Sequence, residues 1–147
     1  LNPDLMAKFR TETNIPLASG ERIYSRYGYR PFLEARSLDI IQPDIANCGG
    51  ISEAKKICDM AQIYDVLVQT HVCGGPISNA AALQIEAVIP NFCIHEYHIG
   101  NMTSFTKSLG VYDDSPVNGY IQIPDRPGIG QEIPEEIIRK CDVLTIC

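Results

Sequence analysis

Four ionisable residues stand just beyond short apolar runs: Glu21 after Ile15 to Ala18, Asp44 after Asp39 to Gln42, His71 after Val66 to Gln69, and Glu96 after Phe92 to Ile94. The runs have the length and the flanking turn residues of buried strands. An Asp and a His at consecutive strand ends can share a hydrogen bond. The Asp then fixes the imidazole tautomer and raises the basicity of the other ring nitrogen, which makes a general base for a weakly acidic proton. Each residue alone has a plainer reading: Asp44 as a turn residue after Pro43, His71 as a satisfied loop histidine, Glu21 and Glu96 as solvated carboxylates. Their joint placement favours the catalytic reading. Glu96, directly after an apolar strand, needs a partner or a ligand for its charge.

Positioning four such groups requires four strands with helices between them. Asn2, Pro3 and Asp4 read as the cap and first turn of an opening helix. A second helix is expected over Tyr29 to Arg36 with Pro31 in its first turn, a third from about Ser52 to Tyr64, and a fourth from about Ser78 to Val88. Alternating strands and helices are the pattern of parallel βαβ units. The intervals between the four residues are 23, 27 and 25, against about 25 to 31 per unit in an eight-fold (β/α) barrel. In such barrels catalytic groups sit at the C-terminal strand ends. A doubly wound sheet fits less well, because neither "CGGIS" nor "CGGPIS" is a G-x-G-x-x-G phosphate loop. The fold class expected is α/β, a partial TIM-type (β/α) barrel over residues 1–99. Residues 100–147, rich in Gly, Pro, Asn and Asp, read as a C-terminal extension with a strand at Tyr120 to Ile123, a short helix at Pro134 to Lys140 and a last strand at Asp142 to Ile146.

The chain has 147 residues, 45% hydrophobic and 20% charged, with a net charge of -6. That suits one soluble domain, and with no Lys/Arg run it argues against nucleic acid or an anionic membrane as a partner. No stretch reaches the ~18 apolar residues of a membrane span, and no signal sequence is evident, so a cytoplasmic location is expected. Cys48, Cys58, Cys73, Cys93, Cys141 and Cys147 lack CxxC pairing and read as free, buried thiols. A chain that opens at Leu1, directly before a helix cap, reads as a fragment.

The stretches "IPLASGERIYSRYGYRPFLE", "LDIIQPDIANCGGISEAKKICDMAQIYDV", "THVCGGPISNAAALQIEAVIPNFCIHEYH" and "NGYIQIPDRPGIGQE" resemble, in order and spacing, the C-terminal part of the enolase superfamily. The branch they resemble is that of mandelate racemase and muconate lactonizing enzyme, and within it the acid-sugar dehydratases of galactonate type. The resemblance implies a Mg²⁺ ligand at Glu21, an Asp44–His71 dyad with His71 as the base, and Glu96 as the acid that hydrogen-bonds the substrate carboxylate as it becomes an enediolate. It implies dehydration of a sugar acid to a 2-keto-3-deoxy acid. It also implies that residues 100–147 return to a capping domain, and that the other metal carboxylates lie outside these residues. With one carboxylate Mg²⁺ is weakly held, so the chain by itself is expected to be slow or inactive. A half-barrel has open sheet edges, which favours a homo-oligomer.

Three alternatives stand beside this reading. A racemase, epimerase or cycloisomerase shares the first half-reaction. A non-catalytic half-barrel would serve only as an association module. Zinc binding through Cys93, His95 and His98 is the third, although "HEYH" lacks the HExxH spacing and alternation along a strand would send the two histidines to opposite faces. Among other residues, Tyr24, Tyr27 and Tyr29 are expected to pack rather than line a pocket, Arg22 to pair with Glu21 or touch substrate, and Lys55 and Lys56 to be solvated.

Overall fold

The computed structural model describes residues 2–142 and 144–145. Helix α1 (Pro3–Thr11) begins where its cap dictates: the Asn2 side chain accepts from the N–H groups of Asp4 (3.0 Å) and Leu5 (3.1 Å), and Pro3 occupies a position that needs no donor. Strands β1 (Ala18–Ser19), β2 (Ile40–Ile41) and β3 (Leu67–Val68) form one parallel sheet in that order, with Ala18, Ile40 and Leu67 in register. Helices α2 (Ser25–Glu34) and α3 (Ile51–Ile63) make the crossovers that parallel pairing requires. After α4 (Gly75–Glu86), Phe92 bridges Val68 in parallel and adds a fourth strand position.

The ladders are shorter than the apolar runs, for identifiable reasons. Pro16 and Pro43 have no N–H to donate, and the Leu17 N–H goes to the Asp39 side chain (2.8 Å) instead of a neighbouring backbone. That carboxylate also receives Nη2 of Arg10 at 2.6 Å, which ties α1 to the start of β2. Between sheet and helices the core closes on Tyr29, Leu33, Ile41, Ile57 and Val68, all essentially inaccessible. Glu53, in the first turn of α3, accepts from the Arg26 backbone N–H (2.8 Å) and Nε (2.9 Å), locking α3 against α2.

Several expectations are corrected. Helix α2 starts at Ser25, not Tyr29, so Pro31 lies inside it and the helix ends three residues later at Glu34. A proline removes one backbone bond, but the buried Tyr29, Phe32 and Leu33 hold the helix through it. Helix α4 begins at Gly75 and stops at Glu86. The extension carries two elements not expected: a 3-10 turn at Ile99–Met102 and helix α5 (Ser104–Ser108), capped by Thr103, whose side chain accepts from the Thr106 N–H. No strand forms at Tyr120 to Ile123. Instead Asn118 and Gly119, both at positive φ, make a tight turn in which Val117 and Tyr120 exchange backbone bonds of 2.8 and 3.0 Å. Helix α6 is confined to Glu135–Ile138. Of the strand expected at Asp142 to Ile146, Val143 and Ile146 lie outside the described residues, and Asp142, Leu144 and Thr145 carry no strand.

Cys48 and Cys58 are buried free thiols as expected, whereas Cys73, Cys93 and Cys141 are exposed; Cys147 lies outside the described residues. Among the described residues no helix is long and apolar enough to cross a membrane.

Candidate active site

The turn after β1 is built on close approach. A Cβ at Gly20 would lie 2.6 Å from both the Gln42 backbone nitrogen and the Tyr29 hydroxyl, so only glycine lets β1 run against β2 at this point. Tyr29 donates to the Gly20 carbonyl at 2.8 Å. Burial pushes its hydroxyl pKa far above the ordinary phenol value, so Tyr29 is a fixed donor. The next residue, Glu21, is thereby delivered to the sheet's C-terminal end.

Asp44 leaves β2 through Pro43 and uses one carboxylate oxygen in the turn and the other against a histidine. Its Oδ1 accepts from the N–H groups of Ala46 (2.8 Å) and Asn47 (3.2 Å), which folds the following loop and fixes the carboxylate. Its Oδ2 lies 2.8 Å from Nδ1 of His71. Sheet pairing carries this contact: Asp44 and His71 form a parallel bridge, and the His71 N–H donates to the Pro43 carbonyl at 3.1 Å. Nε2 of His71 faces Oε2 of Glu21 at 3.0 Å. The three side chains form one row, Asp44–His71–Glu21, increasingly open to solvent, at 7%, 21% and 49% exposure.

Glu96 reaches the same end by another route. Its Oε2 accepts from the backbone N–H of Val72 at 2.7 Å, one residue past the histidine. The structure therefore brings Glu21, Asp44 and His71 into direct contact and seats Glu96 on the neighbouring peptide. Arg22 pairs with Glu21 (3.3 Å) and is strongly exposed. Tyr29 is core, while Tyr24 and Tyr27 are exposed, so packing accounts for only one of the three.

The zinc alternative finds no support. Both ring nitrogens of His95 are engaged, Nδ1 with Glu86 (2.7 Å) and Nε2 with Asn79 (3.0 Å), and Nδ1 of His98 accepts from the Gly100 N–H (3.0 Å). Among the described residues no group of three His, Cys, Asp or Glu side chains could hold a metal ion. Glu21 is one carboxylate facing a histidine, and Mg²⁺ asks for near-octahedral oxygen coordination. The residues present do not form a Mg²⁺ site by themselves.

Residues 1–137 match the family described as enolase C-terminal domain-like. The chain belongs to that family. Its α/β architecture of parallel strands and connecting helices is the enolase C-terminal domain-like fold, in keeping with a partial barrel. A D-xylonate dehydratase from Haloferax volcanii is 37% identical over 129 residues, covering 88% of this chain and 31% of that protein. Among solved structures, a member of the enolase superfamily from Salmonella Typhimurium superposes with a TM-score of 0.92 at 56% identity, covering 95% of this chain and 36% of that one. A mandelate racemase/muconate lactonizing enzyme-like protein from Rubrobacter xylanophilus gives a TM-score of 0.82 at 33% identity, covering 92% and 34%. The chain thus spans about a third of the length of these relatives.

Four residues around the site escape sequence reasoning: Thr70, Asn79, Glu86 and the inward role of His95. Glu86 falls within the helix expected over Ser78 to Val88, and its side chain is only 3% exposed. The available signal was its place on a helix apolar nearly all round, where a lone acid must find buried partners.

Proposed function

We propose that this chain supplies the proton-abstracting part of the active site of a Mg²⁺-dependent acid-sugar dehydratase. The observation that carries the reading is the row Asp44–His71–Glu21 at the C-terminal ends of adjacent parallel strands. Nδ1–H of His71 donates to Asp44, which leaves Nε2 as the nitrogen that accepts the proton alpha to the substrate carboxylate. Substrate entry displaces the half-exposed Glu21 from Nε2. Glu96 accepts from Val72 through one oxygen, and in its protonated acid form its other oxygen donates to the substrate carboxylate as the enediolate forms. The beta C–O bond then breaks as the proton held by His71 is returned to the departing hydroxyl, which leaves as water, and the resulting enol tautomerises to a 2-keto-3-deoxy acid.

The resemblance implies Mg²⁺ with Glu21 as one ligand. Because one carboxylate is not a site, its remaining ligands would come from the two thirds of the relatives that this chain does not span, and no step above is assigned to the metal. Residues 1–99 correspond on this reading to the C-terminal half of a (β/α) barrel, and residues 100–147 to an extension that returns to a capping domain. The substrate class, a sugar acid, rests on the resemblance and on the name of the Haloferax relative. Taken alone, the chain is slow or inactive. It self-associates through exposed apolar residues such as Leu67, Phe92 and Ile94 beside the short strands.

The test is a chimera in which these residues replace the matching third of the Haloferax D-xylonate dehydratase. Keto-acid formation from D-xylonate, lost on His71→Asn, is expected. A folded chimera that forms no keto acid refutes the dehydratase reading. Exchange or inversion at C2 without water loss would instead favour a racemase or epimerase, the class suggested by the Rubrobacter relative's name.

A further inference from the structure

Behind the row of candidate catalytic groups lies a second, buried row. Oε1 of Glu86 accepts the hydroxyl of Thr70, and its Oε2 meets Nδ1 of His95 at 2.7 Å. Nε2 of His95 continues to Oδ1 of Asn79 at 3.0 Å, so a chain of side chains runs from Thr70, just past β3, through α4 to His95, just past the Phe92 bridge, and back to α4. Thr70 is fully inaccessible, Asn79 and Glu86 are 4% and 6% exposed, and the His95 side chain is 11% exposed. A carboxylate withdrawn this far from water is expensive unless both oxygens are bonded, and here both are.

The two residues that Glu86 holds are not arbitrary. Thr70 immediately precedes His71, and His95 immediately precedes Glu96. Alternation along an extended chain turns neighbouring side chains to opposite faces, so gripping residues 70 and 95 from the helix layer orients residues 71 and 96 toward the sheet's open end. One further contact joins the same two segments, from the Val72 N–H to Glu96. With a single carboxylate holding the side chains of both preceding residues, the distance between the base and the acid is tied to α4.

We propose that Glu86 is a positioning residue that sets the placement of His71 relative to Glu96 by holding Thr70 and His95. The assignment of catalytic roles to His71 and Glu96 rests on the proposed function, but the mechanical coupling does not. The chain has three histidines, His71, His95 and His98, so side-chain ¹⁵N spectra of the 147-residue protein contain few enough signals to assign each by substitution. Glu86→Gln is expected to shift His95, its direct partner, and also His71, which it never touches, while His98 stays in place. Thr70→Val, which removes the hydroxyl and keeps the shape, should shift His71 too, and Thr70→Ser should restore the wild-type position. Unmoved His71 signals in a folded Glu86→Gln or Thr70→Val protein overturn the proposal; if Glu86→Gln does not fold, the two Thr70 variants decide it.

In the Haloferax chimera, Glu86→Gln should lower kcat by about ten- to 100-fold with KM nearly unchanged, the pattern of misplaced rather than missing groups. An equal loss in KM alone counts against positioning. A shift of His71 without any dehydration in the unsubstituted chimera would sustain the coupling and sink the dehydratase reading.

Discussion

Nδ1 of His71 sits 2.8 Å from Oδ2 of Asp44, whose other oxygen is committed to the N–H groups of Ala46 and Asn47. Asp44→Asn keeps an acceptor for the loop but presents an amide N–H or a weaker acceptor to the imidazole, which loosens the tautomer on which the proposed proton transfer to Nε2 depends. In the chimera the expected result is a fall in kcat of about 10²- to 10⁴-fold, the range spanned by general-base catalysis. The circular dichroism spectrum should be unchanged. Activity within a factor of two of wild type would remove the dyad from the mechanism.

Gly20→Ala places a methyl group 2.6 Å from the Gln42 nitrogen and the Tyr29 hydroxyl, both of which are fixed. We expect a loss of about 1–3 kcal/mol in stability, typical of forced overpacking, read as a lower urea midpoint. An undisturbed midpoint would show that β1 and β2 can separate freely at this turn.

Burial pushes the Cys48 thiol from its ordinary 9.0 up to about 11 and the Cys58 thiol up to about 12, with Asp44 reinforcing the first. The folded state holds these protons more tightly than the unfolded chain. Their contribution to stability is therefore complete below about pH 9 and is lost as pH rises through 11 and 12. Cys73, Cys93 and Cys141 should react with a thiol reagent at pH 8, and Cys48 and Cys58 only after denaturant is added. Equal labelling rates for all five would contradict the burial.

Asp39 carries the opposite sign. The hydrogen-bonding Arg10 guanidinium, aided by the Leu17 N–H, holds its carboxyl below the ordinary 3.8. The stability it gives is present at neutral pH and is lost as pH falls through that depressed value. Asp39→Asn should be less stable than wild type at pH 7, with the two unfolding curves converging below about pH 4. A gap of constant size across that range would mean that the ion pair is not the cause.

The elements most legible in the sequence are those fixed by local chemistry. Asn2 with Pro3 announced α1 because a cap and a donor-free first position act within one turn, and the apolar spacing of Ala54, Ile57, Cys58 and Ala61 announced α3 because those four residues are its buried face. Local pattern places the start of α2 too close to Pro31, since the tertiary packing that carries a helix through a proline leaves no local mark. Helix α5 carries one local mark, Thr103, which caps it by accepting from the Thr106 N–H. In the site, Asp44 and His71 were readable as a pair because each ends a strand. Glu86 was not, because its partners lie 16 and 9 residues away on segments whose facing depends on strand alternation. The seat of Glu96 was hidden for a different reason, as its partner is a backbone N–H and every residue but proline has one.

The carboxylate of Asp44 folds its own loop with one oxygen and steadies the imidazole with the other, so the shape of Ala46 to Cys48 and the poise of the ring are a single mechanical variable. Whatever tugs that loop, whether a neighbouring subunit, an incoming ligand or an inserted residue, acts on the ring as a lever acts on its hinge. Drift in loop sequence between related proteins is therefore expected to be tightly leashed here, even at positions that never meet a substrate.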